Sequence, residues 1–202
     1  MQKRQVGRPR GGDPVETRRT ILSAAEECFA ASGFVGATTR QMAALAGVNV
    51  ATLHYHFGNK ERLYRAVLDA ATRQDVPFLA SGRTPEERLS SAVEILWDFG
   101  AAHPTLPRLR LFQRLAGPLF SAGILGAPDD PRGALLAQTL TETDLETPLP
   151  PAETARVILA LLDVALVAAQ DGHGPAAASP SAMADASRAG VVAAALRVAG
   201  LA

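Results

Sequence analysis

The stretch TTRQMAALAGVNVATLHYHFGNKERL, residues 38–63, decides the fold of this chain of 202 residues. Thr38, followed three residues later by Gln41, forms the capping-box pattern that opens a helix. Gly47 marks a turn, because glycine adopts positive φ at little steric cost. Ala43 before this turn and Leu53 after it are the small and aliphatic residues that let two short helices pack. The stretch therefore predicts a helix-turn-helix, whose second helix is free to enter a major groove.

The residues around this stretch resemble a known family. The segment TLHYHFGNKE, residues 52–61, is similar to the signature of TetR-family transcriptional regulators, in which an aromatic-His-Phe segment leads into a lysine. The match continues upstream at Ile21-Leu22, Ala24-Ala25, Phe29, Gly33-Phe34 and Thr38-Thr39. It covers about residues 15 to 65 and departs at His54, where the family usually has tyrosine. The resemblance implies an all-α fold of about nine helices: a three-helix DNA-binding head and a helical body that binds an effector and dimerises.

Charge is distributed unevenly along the chain, although the formal net charge is zero. Residues 1–65 contain ten lysines and arginines against five acidic residues, and the rest of the chain contains ten arginines against fifteen acidic residues. A basic head on an acidic body indicates a polyanion partner at one end only. The alternative is an ordinary fluctuation in surface charge.

Other function classes receive little support. We expect neither export nor a membrane span, since the chain shows no secretory signal and no uncharged apolar run of about 18 residues. The single cysteine, Cys28, fits a cytoplasmic protein. We expect no bound metal, because His54 and His56 stand two residues apart on a helix and point in different directions. The absence of a nucleophile elbow or a phosphate-binding loop argues against an enzyme, and nothing indicates a cofactor.

Composition and helix signals divide the chain into three parts. Residues 1–12 form a basic arm without apolar periodicity, expected to be disordered. Residues 13–58 form the helix-turn-helix domain, which opens with Asp13, Pro14 and Glu16 as a capping box. Residues 59–202 form the effector-binding and dimerisation domain. Helices are predicted there over about residues 59–74, 85–102, 106–116, 134–144, 152–171 and 181–200, with a shorter one before Leu125 and a linker at residues 126–133. Its acidic residues are scattered singly and are interpreted as solvated.

Candidate DNA contacts follow from this fold. Early residues of the second helix face base edges, and the methyl groups of Val50 and Ala51 suit the thymine methyl group. Thr52 suits a base or a phosphate, and Asn49 suits a base unless it caps the helix. Arg40 is the best candidate for a bidentate guanine contact, which contributes about 1–3 kcal/mol of discrimination.

Further contacts are implied by the resemblance or by charge. The resemblance implies that Thr39, Tyr55 and Lys60 meet phosphates, and His54 replaces a tyrosine that commonly does so. The alternatives are that Thr39 only caps and that Tyr55 only packs. His56 is expected to bond within the helix junction. Arginines of the arm suit a narrow minor groove, the alternative being a solubilising tail; they are Arg8 and Arg10.

The body offers two candidate sites. An apolar effector cavity is predicted from Trp97, Phe99, His103, Phe112, Phe120 and Leu162, which as ordinary core would need no ligand. A four-helix dimer interface is predicted from Leu161, Ala165, Ala186, Gly190, Ala193 and Leu196, unless the last two helices are interior to a monomer. Arg110 and Arg114 form a stripe that suits an anionic effector or a surface pairing with carboxylates of the body.

We interpret the chain as a ligand-responsive regulator of transcription. Two copies would bind a palindromic operator in double-stranded DNA, most simply as a repressor, and a largely apolar small molecule would release them. The alternative is a small-molecule carrier or sequestering protein that no longer reads an operator.

Overall fold

A computed structural model of the chain describes residues 13–72, 80–115, 130–143, 147–171 and 180–201. Over these residues all regular structure is helical, which confirms the predicted fold class. The described helices are α1 (Pro14–Gly36), α2 (Thr39–Leu45), α3 (Val50–Phe57), α4 (Lys60–Thr72), α5 (Pro85–Ala102), α6 (Thr105–Leu115), α7 (Pro131–Glu142), α8 (Pro151–Gln170) and α9 (Pro180–Val198). Within the same ranges no helix combines the length and apolarity that a membrane span requires. The predicted arm and the shorter helix before Leu125 lie outside the described residues.

Two compact units divide the chain, Met1–Val67 and Leu68–Ala202. The division falls within α4, later than the predicted boundary at residue 58. The early part of α4 belongs to the head because Leu63 and Tyr64 are buried there. Tyr64 meets the ring of Phe29 edge-on at 4.8 Å between centroids, which joins α4 to the α1 core.

Helix α1 begins and ends at residues with identifiable roles. Asp13 accepts a hydrogen bond from the Val15 amide at 2.9 Å, as expected of an N-cap. The predicted reciprocal contact from Glu16 is wrong, because its carboxylate instead accepts hydrogen bonds from Arg19, one turn along the exposed face. Gly33 has φ 65° and interrupts the helix where the sequence predicts its end, near Ser32-Gly33.

The body core is a set of apolar side chains from four helices. Leu89, Leu96 and Trp97 of α5 pack with buried residues of α7, α8 and α9, among them Leu136, Leu140, Ile158, Leu162, Leu166, Val191 and Ala195. Full burial of each leucine or isoleucine contributes about 1.5–3 kcal/mol to folding.

Helix α7 starts earlier than predicted. The residues Pro131-Arg132-Gly133 form its first turn, although the sequence indicated a linker there. Asp130 is the N-cap and accepts a hydrogen bond from the Arg132 amide at 3.1 Å. The Asp-Pro pair is the same start signal as Asp13-Pro14 at α1, since proline fits the first helical position.

One acidic residue of the body is not solvated as expected. Asp163 of α8 is fully buried and accepts hydrogen bonds from Arg132, which is also fully buried. Arg110 is buried too, so it is not part of a surface stripe. Arg114 lies 3.5 Å from Asp163, the carboxylate pairing that was the alternative to an anionic effector.

Candidate nucleic-acid interface

Local hydrogen bonds fix the start of α2 and the turn before α3. The capping box at α2 is reciprocal: the Gln41 amide donates to the Thr38 hydroxyl at 3.3 Å, and the Gln41 side-chain oxygen accepts from the Thr38 amide at 2.9 Å. Gly47 has the predicted positive φ, 67°. Its amide donates to Ala44 and the Val48 amide donates to Ala43, which closes the turn. These contacts set the direction in which α3 leaves α2.

Helix α3 has one buried and one exposed face. Leu53 and Phe57 lie one turn apart and pack into the head core. The exposed residues Ala51, His54 and Tyr55 follow the i, i+3, i+4 spacing of a single helix face. Tyr55 is 85% exposed, so the alternative in which it only packs receives no support. An outward face of this kind is what a recognition helix presents to a groove.

The beginning of α3 carries both a cap and candidate base contacts. The side-chain oxygen of Asn49 accepts hydrogen bonds from the Thr52 amide at 2.7 Å and from the Thr52 hydroxyl at 3.0 Å. Asn49 therefore has the capping role considered as an alternative, and its NH2 group is the part left to approach a base. Val50 and Thr52 are half-buried beside the exposed Ala51.

One of the two histidines of α3 makes the contact that was expected of the other. Nδ1 of His54 lies 2.7 Å from the Gly58 carbonyl, so His54, and not His56 as expected, makes the hydrogen bond at the end of the helix. Because a carbonyl only accepts, Nδ1 carries the proton, and a neutral His54 ring presents Nε2 as an acceptor only. A phosphate contact from His54 therefore requires the doubly protonated ring.

The remaining candidate contacts lie on α2 and at the start of α4. Thr39 is half-buried and is not the cap, since Thr38 has that role. Arg40 is exposed on the first turn of α2. Nζ of Lys60 lies 4.5 Å from the centroid of the Phe34 ring, so a cation–π contact holds this side chain near the beginning of α4. The arm residues Arg8 and Arg10 lie outside the described residues.

The predicted effector residues have different environments in the body. Trp97 and Leu162 belong to its core. Phe99 is buried with Ala71 and Leu106. His103 packs against Phe99 at 4.5 Å between ring centroids, and its Nδ1 lies 2.9 Å from the Phe99 carbonyl. Phe112 is half-buried, and Phe120 lies outside the described residues.

The predicted dimer residues are partly at the surface. Leu161 is 39% exposed, and with Val157 and Val164 it forms an apolar outer face on α8. Gly190 is exposed on α9, with open space where a side chain would stand. Ala165 and Leu196 are partly buried against the body core, and Ala193 is half-buried. The side chain of Ala186 is outside the described part of the chain.

Comparisons with known proteins agree with this geometry. Residues 21–67 match the family model for bacterial regulatory proteins, tetR family. The transcriptional repressor NicS of Pseudomonas putida is 32% identical over 108 residues, which cover 52% of this chain and 50% of NicS. The transcriptional regulator RutR of Escherichia coli is 36% identical over 134 residues, covering 59% of this chain and 60% of RutR. A TetR-like transcriptional regulator from Rhodococcus sp. RHA1 shares the fold, with a TM-score of 0.57 at 20% identity over 90% of this chain and 96% of that one.

The similarities cover only part of the two curated relatives. The chain spans about half to three fifths of the length of the two curated relatives. Both relatives are named as regulators of transcription. The similarity to the Rhodococcus structure extends over head and body but concerns the fold alone.

Proposed function

We propose that this chain, whose residues 21–67 match the family model for bacterial regulatory proteins, tetR family, is a ligand-responsive regulator of transcription. It binds a palindromic operator as a homodimer and represses transcription until a small-molecule effector releases it. The effector acts by binding the DNA-incompetent state more tightly than the competent one.

The exposed face of α3 carries this proposal. Ala51, His54 and Tyr55 project from a helix whose opposite face is anchored in the head core by Leu53 and Phe57. An exposed tyrosine ring on such a face leaves apolar surface in contact with water, which a bound partner would cover. Its hydroxyl can donate a hydrogen bond to a phosphate oxygen. Arg40 adds a guanidinium on the preceding helix, suited to guanine.

The outer face of α8 supports the homodimer. Val157, Leu161 and Val164 leave aliphatic surface in contact with water, and burial against a second copy would remove it. Gly190 on α9 allows close approach of another helix, since no atom lies within 4 Å of the position where its Cβ would stand. Two copies related by a twofold axis would present two α3 helices to the two halves of a palindrome.

Selection of bound duplexes from a random DNA pool tests the proposal. We expect the purified chain to recover an inverted repeat at moderate salt, and Arg40→Ala to lose preference at a defined position within each half-site. Arg156→Ala, which removes an exposed arginine of the body, is the matched control and should recover the same repeat.

Two other outcomes would contradict parts of the proposal. A single half-site without a repeat would argue against the homodimer. Binding that is absent, or that depends on salt and not on sequence, would favour the carrier or sequestering protein, and the next measurement would then be ligand binding by the body.

A further inference from the structure

Five charged side chains of the body lie together, three of them buried, and we call them the buried arginine cluster. They come from α6, from α8 and from the start of α7: Arg110, Arg114, Asp130, Arg132 and Asp163. Of these, Arg132 and Asp163 have no exposed surface, and Arg110 is 8% exposed. Charged groups are seldom buried to this degree unless each one is paired.

Arg132 is the well-satisfied member of the cluster. Its Nη1 and Nη2 donate to the two carboxylate oxygens of Asp163 at 3.1 and 3.2 Å, and its Nη2 also donates to Asp130 at 2.8 Å. Burial by itself lowers the pKa of Arg132, but the charge of Asp163 and the hydrogen bond of Asp130 outweigh it, so the pKa is raised. Both carboxylates are thereby engaged by one guanidinium.

The other two arginines have weaker partners. Arg114 approaches Asp163 at 3.5 Å, and Nε of Arg110 approaches Asp130 at 3.6 Å, longer than a normal hydrogen bond. Nη1 of Arg110 is buried and has no hydrogen-bond partner in the part of the chain that the structure describes. Burial, together with the charge of Arg132, lowers the pKa of Arg110 to about 10, so Arg110 is still charged at neutral pH.

The charges of the cluster do not balance. Among the described residues, three guanidinium groups face two carboxylates, which leaves one positive charge in excess; the Arg114 side chain is 35% exposed and partly hydrated, whereas that of Arg110 is buried. A buried N–H donor without an acceptor destabilises the folded chain, and a buried unpaired charge does so more strongly. One monovalent anion with oxygen acceptors would supply both the missing charge and the missing acceptor.

We propose that the buried arginine cluster binds the carboxylate of a small organic monoanion. Nη1 of Arg110 donates to one carboxylate oxygen, and Arg114, one turn along the same face of α6, is placed to engage the other. The neighbours of Asp163 on α8 are apolar, since Leu159 and Leu162 are buried in the body core, and such surroundings favour a ligand with a single charged group over a strongly polar one. If the bound monoanion is the effector, the site also defines the chemical class of the effector, and that step alone rests on the proposed function.

Calorimetric titration and thermal unfolding of the full chain test the site. The probes are sodium butyrate, hexanoate and benzoate, with hexanamide and benzamide as neutral analogues and inorganic phosphate as a second anion, all at constant ionic strength and pH. We expect at least one carboxylate to bind and to raise the unfolding midpoint, while its amide and phosphate do neither.

Variants locate the binding. Arg110→Met should weaken carboxylate affinity at least tenfold and leave the unfolding midpoint of the ligand-free chain unchanged or higher, because it removes the excess charge. Arg110→Lys, which keeps the charge but loses the fork of donors, should bind with intermediate affinity. Arg156→Met, an exposed arginine of α8, is the matched control and should bind as the unsubstituted chain does.

Three results would overturn the site: no carboxylate binding, equal binding by Arg110→Met, or binding of phosphate in place of carboxylates. DNA binding is measured separately on the same samples. Carboxylate binding without any DNA binding would refute the proposed function and leave the site intact, whereas DNA binding without carboxylate binding would do the reverse.

Discussion

The helix-turn-helix and the body both use hydrogen bonds to satisfy their polar groups, but the bonded residues lie at different distances along the chain. Around α2 and α3, the side-chain hydrogen bonds from Thr38 to Gln41, Thr52 to Asn49 and His54 to Gly58 join residues three or four apart. In the body, the hydrogen bonds between Arg132 and Asp163 join residues 31 apart. The head therefore fixes its helix ends by neighbours in sequence, while the body fixes its charged residues by packing.

Because of this difference, substitutions in the head and in the body should change the free energy of unfolding by different amounts. A lost local cap exposes one or two backbone groups that water can reach, so the cost is modest. A lost partner in the buried arginine cluster leaves a charge that water cannot reach, so the cost is large.

Asp163→Asn is expected to have the largest effect. It keeps the shape of the side chain but leaves Arg132 facing a neutral amide, and removal of one partner from a buried ion pair costs about 3–5 kcal/mol. The free energy of unfolding, from urea denaturation followed by circular dichroism, measures this loss. Glu153→Gln, which breaks the exposed pair with Arg156, is the control and should cost less than about 1 kcal/mol. Equal losses in the two variants would remove the contrast between buried and exposed pairs.

Gly47→Ala is expected to have the next largest effect. An added Cβ would meet no atom within 4 Å, so the loss comes from the backbone alone. An L-residue with φ near 67° costs about 1–2 kcal/mol relative to glycine. Gly133→Ala provides a control of opposite sign, because that glycine lies within α7, its Cβ would stand at an ordinary contact distance of 3.6 Å from Leu159, and alanine should stabilise the helix by about 0.5–1 kcal/mol. Destabilisation by both substitutions, measured by thermal unfolding, would contradict the backbone explanation.

Thr38→Ala and Thr84→Ala test the capping box, a local motif that occurs in both units. Each threonine caps a helix through a reciprocal capping box, so each loss should cost about 1 kcal/mol. Only Thr38→Ala should also weaken binding to the selected operator, because α2 carries Thr39 and Arg40. Serine at either position should restore stability. If Thr84→Ala weakened operator binding as much as Thr38→Ala does, operator binding would not depend on the head alone, contrary to the local contacts of α2 and α3.

Lys60→Ala is expected to have the smallest effect, and it concerns affinity and not stability. If Lys60 contacts one phosphate, its loss lowers the slope of log affinity against log salt concentration by about one. Arg83→Ala in the body is the control and should leave the slope unchanged. A slope that Lys60→Ala does not alter would mean that the cation–π contact with Phe34 is the main role of this lysine.

The two units also differ in how far the sequence predicts them. The sequence predicts the two helices of the helix-turn-helix at about residues 39–46 and 49–56, and α2 and α3 begin and end within one residue of these bounds. The agreement is close because the capping box, the glycine turn and the asparagine cap all lie in or beside these helices. The beginning of α7 was missed although Asp130-Pro131 carries the signal recognised at Asp13-Pro14. The surrounding glycines and prolines favoured a linker more strongly than the cap favoured a helix.

The buried arginine cluster could not be predicted in the same way. Arg110 and Arg114 have a recognisable spacing, but neither Arg132 nor Asp163 has a sequence pattern that distinguishes it from a solvated residue. Their burial depends on how α6, α7 and α8 pack, which no local rule specifies. In the head, the hydrogen bond from His54 to Gly58 was missed for a related reason, since the spacing leaves open which of two histidines reaches the carbonyl.

The local character of the caps also bears on how such proteins diversify. Because Thr38, Gly47 and Asn49 specify the geometry of α2 and α3 with their own neighbours, mutations that reshape the body do not alter the signals that start and stop these helices. The body can therefore change by mutation or recombination while the helix-turn-helix keeps its geometry. The buried arginine cluster has the opposite evolutionary constraint, since a change at one of its positions demands a compensating change on another helix.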